Sequence, residues 1–280
     1  MTERVSVTRN GGVADVRLNR PDKLNALDRA MFEGLAEIGA ALAEDRSLRA
    51  VVLSGEGRAF CAGLDFSSFM AMGGGADSGT EKSTGGAGEK SAGGLLGVVA
   101  GSPATLAQQA AYAWMSLPVP VIAAVHGVAF GGGLQIALGA DIRIAAPDAR
   151  FSVMEIKWGL IPDMTGSQTL RHLVRLDVAK ELTFTGRIVE GREAAEIGLV
   201  TRLSDHPREA ALAMAAEIAS KSPQAIRAAK ALLGGAVYAD LEDGLRREAR
   251  VQAGLLGKPN QIESVKANME KRAPKFADPD

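Results

Sequence analysis

The stretch that decides the fold and the chemistry is HGVAFGGGLQIALGADIRIA at residues 126–145, followed by FSVMEIKWGLIPDMTGS at residues 151–167. Its glycine cluster opens a predicted helix, and Gln135 lies on the first turn of that helix. Two carboxylates, Glu155 and Asp163, follow. Backbone N–H groups at a helix N-terminus can hold a developing negative charge, and carboxylates can move protons. The stretch therefore predicts an anion site beside proton carriers, an arrangement suited to enolate chemistry.

Each of these features also has a plainer interpretation. The glycine run could be a tight strand-to-helix connection, Glu155 a surface residue at a strand end, and Gln135 a glutamine on a helix surface. Asp163 follows Pro162, where a turn residue or a helix cap is common. The glycine spacing does not fit the G-x-G-x-x-G dinucleotide fingerprint, and the sequence has no Walker phosphate loop.

Composition indicates a globular protein acting on a small molecule. The chain has 280 residues, of which 46% are hydrophobic, enough apolar surface for a large core. Its 32 basic and 33 acidic side chains nearly balance, so no net charge favours nucleic acid or an anionic membrane. The single cysteine excludes an internal disulfide, the N-terminus has no signal-peptide pattern, and no segment has the ~18 apolar residues of a membrane span. We expect a cytoplasmic protein.

Strand and helix patterns alternate along most of the chain, which predicts an α/β fold. Residues 5–20 predict two alternating strands joined by a turn at Asn10–Gly12, and residues 25–45 a helix capped by Asp28. Further strands are predicted in three segments and further helices in two. The strand segments are RAVVLSG, PVPVIAAVHG and DIRIAAP, and the helices are expected near Pro103 to Met115 and in GGGLQIALGA. After Phe151 the pattern is mainly helical, with one short strand predicted in LVTRLS.

Two regions differ from this alternation. Residues 73–101 are rich in glycine with interspersed Ser, Thr, Lys and Glu, a composition typical of a flexible loop. Residues 201–280 carry amphipathic helical patterns that predict either a separate helical cap or an arm that packs on another subunit. The predicted organisation is a core at residues 1–200 and a C-terminal helical oligomerisation region at residues 201–280.

Six segments in a fixed order resemble the enoyl-CoA hydratase/isomerase family, also called the crotonase superfamily, over nearly the whole chain. The segments are LNRPDKLNAL, AVVLSGEGRAFCAGLDF, PVPVIAAVHGVAFGGGLQIALGADIRIA, FSVMEIKWGLIPDMTGSQTL, TGRIVEGREAAEIGLV and MEKRAPKF. The resemblance implies a spiral of ββα units with C-terminal helices that form trimers or hexamers. It also implies an acyl-CoA thioester substrate, with no cofactor besides the CoA of the substrate. The backbone N–H groups of Leu64 and Gly132 match the family's oxyanion hole.

The same resemblance assigns the proton carriers. Family hydratases use two glutamates; the first position is Gln135 here, whereas the second is Glu155. A neutral amide cannot accept a proton at ordinary pH, so half of the hydratase pair is missing. Asp163 stands where the family's dienoyl-CoA isomerases place an acidic proton carrier, although those enzymes usually have an aspartate at the Gln135 position. The pattern favours an enoyl- or dienoyl-CoA double-bond isomerase, with Glu155 or Asp163 removing the first proton.

Other functions remain open. An enoyl-CoA hydratase that adds water to a 2-enoyl-CoA is the nearest alternative, and a non-catalytic acyl-CoA-binding or RNA-binding homologue is a different class. For CoA contacts, the resemblance points to four residues of one loop, to Ala62 near the adenine, and to Lys271, which in relatives reaches CoA from a C-terminal segment. The loop residues are Lys23, Leu24, Asn25 and Ala26.

The remaining candidate residues have structural interpretations. Cys61 has no recognisable base beside it, so packing is favoured over a nucleophilic role. His126 is expected at a strand end, and His172 and His206 have no metal-ligand spacing with acidic residues or Cys61. We expect no metal, no nucleic-acid partner and no membrane association.

Overall fold

The computed structural model describes residues 3–65, 67 and 94–279. The strands in these ranges are β1 (Val5–Asn10), β2 (Val13–Leu18), β3 (Ala50–Gly55), β4 (Val121–Val125), β5 (Val128–Phe130), β6 (Ile142–Ala145), β7 (Arg150–Ser152), β8 (Val189–Glu190) and β9 (Arg202–Leu203). The α-helices are α1 (Arg29–Ala43), α2 (Leu106–Ser116), α3 (Gly132–Leu138), α4 (Gly166–Leu173), α5 (Leu176–Thr185), α6 (Gly191–Glu196), α7 (Pro207–Ala219), α8 (Pro223–Ala236), α9 (Leu241–Leu255) and α10 (Pro259–Met269). Short 3-10 helices span Pro21–Lys23 and Met154–Trp158.

A six-stranded sheet in the order β1-β2-β3-β4-β6-β9 forms the centre of the fold. β1 and β2 are antiparallel, and the other neighbours are parallel. Successive residues of β3 point to opposite faces of the sheet. Leu53 packs in the main core with α1 and α2, whereas Val52 packs with Ala211 and Ala215 of α7. The sheet is therefore covered by helices on both sides, as parallel sheets require.

A second sheet of three short strands places the polar residues. β5 and β7 are parallel, and β8 pairs antiparallel with β7. Because β5 runs into Gly131 and β7 runs into the 3-10 helix Met154–Trp158, the parallel pairing delivers both segments to the same end of the sheet. The hydrogen bond from the N–H of Gly131 to the carbonyl of Ser152, 2.9 Å long, closes this end.

The structure confirms the α/β prediction and several local features. Residues Asn10 and Val13 pair across the predicted turn, and Asp28 caps α1 by accepting a hydrogen bond from the N–H of Met31. The helix expected from Pro103 begins at Leu106, because Thr105 caps it. The three-stranded sheet was not predicted, since strands of two or three residues are too short to show an alternating pattern.

The C-terminal region is helical, as expected. α7 packs on the central sheet and β9 pairs with β6, whereas α8, α9 and α10 expose large apolar side chains. The most exposed of these are Leu233, Leu241 and Met269. The division at residue 200 and the oligomerisation role stay predictions. Most of the glycine-rich loop predicted at 73–101 lies outside the described residues, and among the helices that are described none is long and apolar enough to cross a membrane.

Candidate active site

Three chain segments meet at the end of the second sheet. The segment around Cys61 runs parallel to β5, with hydrogen bonds from the N–H of Cys61 to the carbonyl of Val128 and from the N–H of Phe130 to the carbonyl of Cys61. This pairing carries the next residues of the first segment alongside the glycine run. A Cβ atom at Gly63 would lie only 2.6 Å from the carbonyl oxygen of Phe130, so the close approach requires a glycine with φ of +89°.

The predicted oxyanion donors, Leu64 and Gly132, lie on these two adjoining segments. Gly132 is the first residue of α3, where N–H groups have no acceptor within the helix. Within the described ranges, neither N–H group donates to a protein acceptor. A Cβ placed on Gly63 would lie 3.7 Å from the nitrogen of Gly132, which shows how closely the segments approach. Two free backbone donors on neighbouring segments can bind one carbonyl oxygen.

Gln135 is buried on α3 and is fixed by three hydrogen bonds. Its Oε1 accepts from the N–H of Met164 at 2.8 Å and from the N–H of Gly166 at 2.9 Å, and its Nε2 donates to Oε1 of Glu155 at 2.6 Å. Two backbone donors at one atom identify that atom as the oxygen, so the amide orientation is determined by its partners. Gln135 is 2% exposed and is therefore not a helix-surface residue.

Glu155 has one oxygen in this network and one outside it. Its Oε2 is buried and has no hydrogen-bond partner among the described atoms. Burial raises the pKa of the Glu155 carboxyl, and the nearby negative charge of Asp163 adds to the rise, while the hydrogen bond from Gln135 opposes it. A Cβ at Gly131 would lie 3.3 Å from Oε1 of Glu155, so the carboxyl group sits directly beside the start of α3. A buried acid with a raised pKa beside an anion site is suited to proton transfer.

Asp163 lies near Glu155, and its carboxylate is exposed. Its backbone carbonyl accepts a hydrogen bond from Nε2 of Gln108 at 3.1 Å. The N–H of the same peptide group, which belongs to Met164, donates to Oε1 of Gln135. The structure thus brings Gln135, Glu155 and Asp163 together, as the sequence predicted, and it adds Gln108.

Gln108 was missed by the sequence analysis. The Thr105–Gln108 pair fits the S/T-x-x-E/Q pattern of a capping box, which signals a helix start. That pattern does not reveal that the same side chain also reaches Asp163.

The loop proposed to bind CoA is adjacent to the site. The N–H of Ala62 donates to the carbonyl of Leu24 at 2.9 Å, so the loop and the oxyanion segment are tied together. Lys23 is exposed, and Ala26 is partly exposed. Asn25 is completely buried: its Oδ1 accepts from the N–H of Arg20, and its Nδ2 donates to two backbone carbonyls. Any CoA contact from Asn25 would therefore come from its backbone.

Lys271 is exposed beyond α10, and no contact joins it to the candidate site within the part of the chain that the structure describes. Its predicted role in CoA binding stays a prediction.

The remaining candidate residues have contacts that indicate structural roles. Cys61 is buried, its Sγ lies 3.1 Å from the carbonyl oxygen of Asn25, and burial raises the pKa of its thiol to about 12. One ring nitrogen of His126 is hydrogen-bonded to the carbonyl of Gly57. His172 stacks edge-on against Tyr238. Among the described residues, no group of three His, Cys, Asp or Glu side chains could hold a metal ion.

Comparison with known proteins gives a consistent family. The family model for enoyl-CoA hydratase/isomerase matches residues 8–89 and 91–279. The mouse protein named enoyl-CoA hydratase domain-containing protein 2, mitochondrial, is 34% identical over 95% of this chain and 85% of its own length. Mouse methylglutaconyl-CoA hydratase, mitochondrial, is 30% identical over 95% of this chain and 80% of its own length.

The fold agrees as well. The crystal structure of an enoyl-CoA hydratase from Bacillus anthracis has a TM-score of 0.82 at 31% identity, covering 98% of each chain. This similarity confirms the predicted crotonase-like fold, whose second sheet delivers Gly132 and Glu155 to one place. On the family model, the relatives and the fold together, the chain belongs to the enoyl-CoA hydratase/isomerase family.

Proposed function

We propose that this protein is an acyl-CoA double-bond isomerase that works through a thioester enolate. The proposal rests on the hydrogen bonds that the Gln135 side chain makes. Both acceptor positions of its oxygen are filled by backbone N–H groups, and its nitrogen donates to Glu155. Gln135 therefore has no free acceptor for a water proton, which favours Glu155, whose Oε2 has no partner among the described atoms, as the carboxylate that moves the proton.

In the proposed reaction the substrate thioester oxygen accepts hydrogen bonds from the N–H groups of Leu64 and Gly132. Removing a proton from the α-carbon moves the C–H electron pair into the thioester, and each well-placed donor stabilises the resulting enolate by roughly 3 kcal/mol. The free Oε2 of Glu155 is the base we assign to this proton. Asp163 protonates the distal carbon, and the double bond shifts toward the thioester. Asp163 enters this step protonated and leaves it ionised, whereas Glu155 enters ionised and leaves protonated. Between turnovers the exposed Asp163 regains a proton from solvent and Glu155 releases its proton.

Hydration of a 2-enoyl-CoA is the second candidate, and the names of the relatives favour it. The two mouse proteins and the Bacillus anthracis protein are all named as hydratases or hydratase-domain proteins. Glu155 alone could direct a water molecule to the substrate. A hydratase of this kind would not need Asp163.

Two substrates and two substitutions separate these reactions. The protein is incubated with crotonyl-CoA and with 3-enoyl- or 3,5-dienoyl-CoA, and the absorbance of the conjugated thioester is followed. We expect faster turnover of the unconjugated substrates and loss of that turnover in both Asp163→Asn and Glu155→Gln. Rapid hydration of crotonyl-CoA that survives Asp163→Asn but not Glu155→Gln would refute the isomerase proposal. Calorimetric binding of CoA thioesters without turnover of any of them would favour a non-catalytic binding protein.

Several accompanying expectations belong to the same proposal. We propose that the substrate is an acyl-CoA thioester, that the reaction needs no cofactor besides its CoA, and that the subunits form a trimer or hexamer. We propose that the exposed ammonium group of Lys23 contacts the CoA phosphates. The mouse relatives are named as mitochondrial, and a cytoplasmic location for this chain stays a prediction.

A further inference from the structure

Two glutamine side chains bind opposite sides of one peptide group beside the candidate site. The peptide that joins Asp163 to Met164 has its carbonyl oxygen bound by Nε2 of Gln108 and its N–H bound by Oε1 of Gln135. A peptide group is planar, so fixing both its oxygen and its hydrogen fixes its orientation. The direction of the Asp163 side chain depends on that orientation. Gln135 in turn holds Glu155, so one chain of hydrogen bonds joins Gln108 to both carboxylates.

Gln108 is itself fixed by a second set of contacts. Its Oε1 accepts from the N–H of Thr105 at 2.9 Å, and its own N–H donates to Oγ1 of Thr105 at 3.3 Å. Because a backbone N–H occupies Oε1, the atom facing Asp163 must be the nitrogen. The first two N–H groups of α2 are also occupied, since Leu106 and Ala107 donate to backbone carbonyls of Gly97 and Leu95. The start of α2 is therefore a rigid support for Gln108.

We propose that Gln108 is a positioning residue that holds Asp163 for protonation of the distal carbon. This inference rests on the proposed function, because it assigns Gln108 a purpose only if Asp163 carries a proton. Gln108 binds the Asp163 carbonyl directly but is linked to Glu155 only through Gln135, which the N–H of Gly166 also holds, so we expect its loss to impair the later step more than α-proton removal. A displacement of about 1 Å at a reacting group can lower a rate by ~100-fold, and we expect a loss of about tenfold for this second-layer contact.

The test uses the substitution Gln108→Glu with a matched control. A glutamate still accepts from the N–H of Thr105, as in an ordinary capping box, but it cannot donate to the carbonyl of Asp163 and repels it. Gln109→Glu makes the same chemical change one residue later, where the side chain contacts Ser102 instead. Thermal unfolding of all variants shows whether the fold is kept.

Two rates are measured with a 3-enoyl-CoA in D₂O: exchange of deuterium into the α-carbon of unreacted substrate, and formation of the conjugated product. For Gln108→Glu we expect product formation about tenfold slower with exchange within about twofold of the parent, and for Gln109→Glu no change in either rate. Equal losses in both rates, or a normal product rate, would overturn the positioning role. If Gln108→Glu does not fold, Gln108→Met, which keeps the length of the side chain, is measured in the same way.

Comparing Asp163→Asn with Gln108→Glu separates failure of this inference from failure of the proposed function. If Asp163→Asn leaves product formation intact, the isomerase proposal fails and the role of Gln108 fails with it. If Asp163→Asn stops product formation while Gln108→Glu does not slow it, only the positioning role fails. Where Asp163→Asn leaves a measurable residual rate, we expect Gln108→Glu to add no further loss in that background, because both changes affect one step.

Discussion

The hydrogen bonds of Gln135 predict that the substitution Gln135→Glu changes the protonation of Glu155. The new carboxylate would have one oxygen facing the N–H groups of Met164 and Gly166, which favour its ionised form. Its other oxygen would take the place of Nε2, which lies 2.6 Å from Oε1 of Glu155. Two carboxylates at this distance cannot both ionise at neutral pH. The shared proton is expected on Glu155, which would turn that residue from a base into an acid.

The size of the effect follows from the distance. Two carboxylates whose nearest oxygens are 2.6 Å apart have charge centres about 4 Å apart, and two unit charges at that separation repel by about 4 kcal/mol at an effective dielectric constant of 20. Since about 1.4 kcal/mol corresponds to a tenfold change in proton affinity, the pair should hold its proton about a thousandfold more tightly than two separate carboxylates. Burial of Glu155 already acts in the same direction. At pH 6 to 7 we therefore expect isomerisation to fall by at least tenfold, with recovery as the pH rises and the pair loses its proton.

The assay is the pH profile of kcat for isomerisation of a 3-enoyl-CoA, together with hydration of crotonyl-CoA at each pH. Gln135→Glu should slow isomerisation most at low pH and raise the ratio of hydration to isomerisation. Gln168→Glu is the matched control, because Gln168 is exposed on α4 and its side-chain amide donates to Ser167, outside the Gln135 network. A pH profile of Gln135→Glu that coincides with the parent and the control would refute the reasoning, since it would mean that Glu155 is not the base that Gln135 holds.

Four further predictions concern stability and reactivity. The fold raises the pKa of the Glu155 carboxyl, so the folded state loses stability as the pH rises above the ordinary pKa of 4.5 and this group ionises. Glu155→Gln removes that loss, so it should raise Tm by about 2 °C at pH 8 and leave Tm unchanged at pH 3. The same substitution should abolish turnover. Asn25→Ala should cost about 3 kcal/mol in urea unfolding, because it removes the three hydrogen bonds of a buried side chain at a position with φ of +56°. Gly133→Ala should cost at least ~3 kcal/mol in the same measurement, because the added Cβ would lie 2.4 Å from the carbonyl oxygen of Cys61. The Cys61 thiol should react with a thiol reagent only after unfolding, and rapid reaction in the native protein would contradict its burial.

The sequence predicted the parts of the fold whose patterns are long enough to read. The buried strands β3 and β4 have continuous apolar runs, and Asp28 precedes a helical apolar period, so both kinds of element were found. The second sheet was not found, because β5, β7 and β8 have two or three residues each and are defined by long-range pairing. That sheet is what brings Gly132 and Glu155 together, so the geometry of the site depends on the part of the fold that is hardest to predict.

The same limit applies to the site residues. The resemblance to the enoyl-CoA hydratase/isomerase family pointed to Gln135, Glu155 and Asp163, and the structure places them close together, while their catalytic roles stay predictions. The order of residues in the sequence could not show that both acceptor positions of Gln135 are filled, since these contacts come from residues beyond Glu155. Nor could it connect Gln108 with Asp163, which lie far apart in the chain and meet through one hydrogen bond.

Thr165, beside the hydrogen bonds of Gln135, has an unfavourable backbone conformation. Its φ is +70°, an unfavourable conformation for a β-branched residue, and its buried Oγ1 has no partner among the described atoms. This strained residue lies between Met164 and Gly166, whose N–H groups both point to Oε1 of Gln135. Such strain persists only where surrounding contacts hold it, and the bonds from the two flanking N–H groups to the amide oxygen are among those contacts. Gln135 therefore joins the turn at Met164–Gly166 to Glu155, and we propose on this basis that Glu155 and Asp163, rather than residue 135, move the protons.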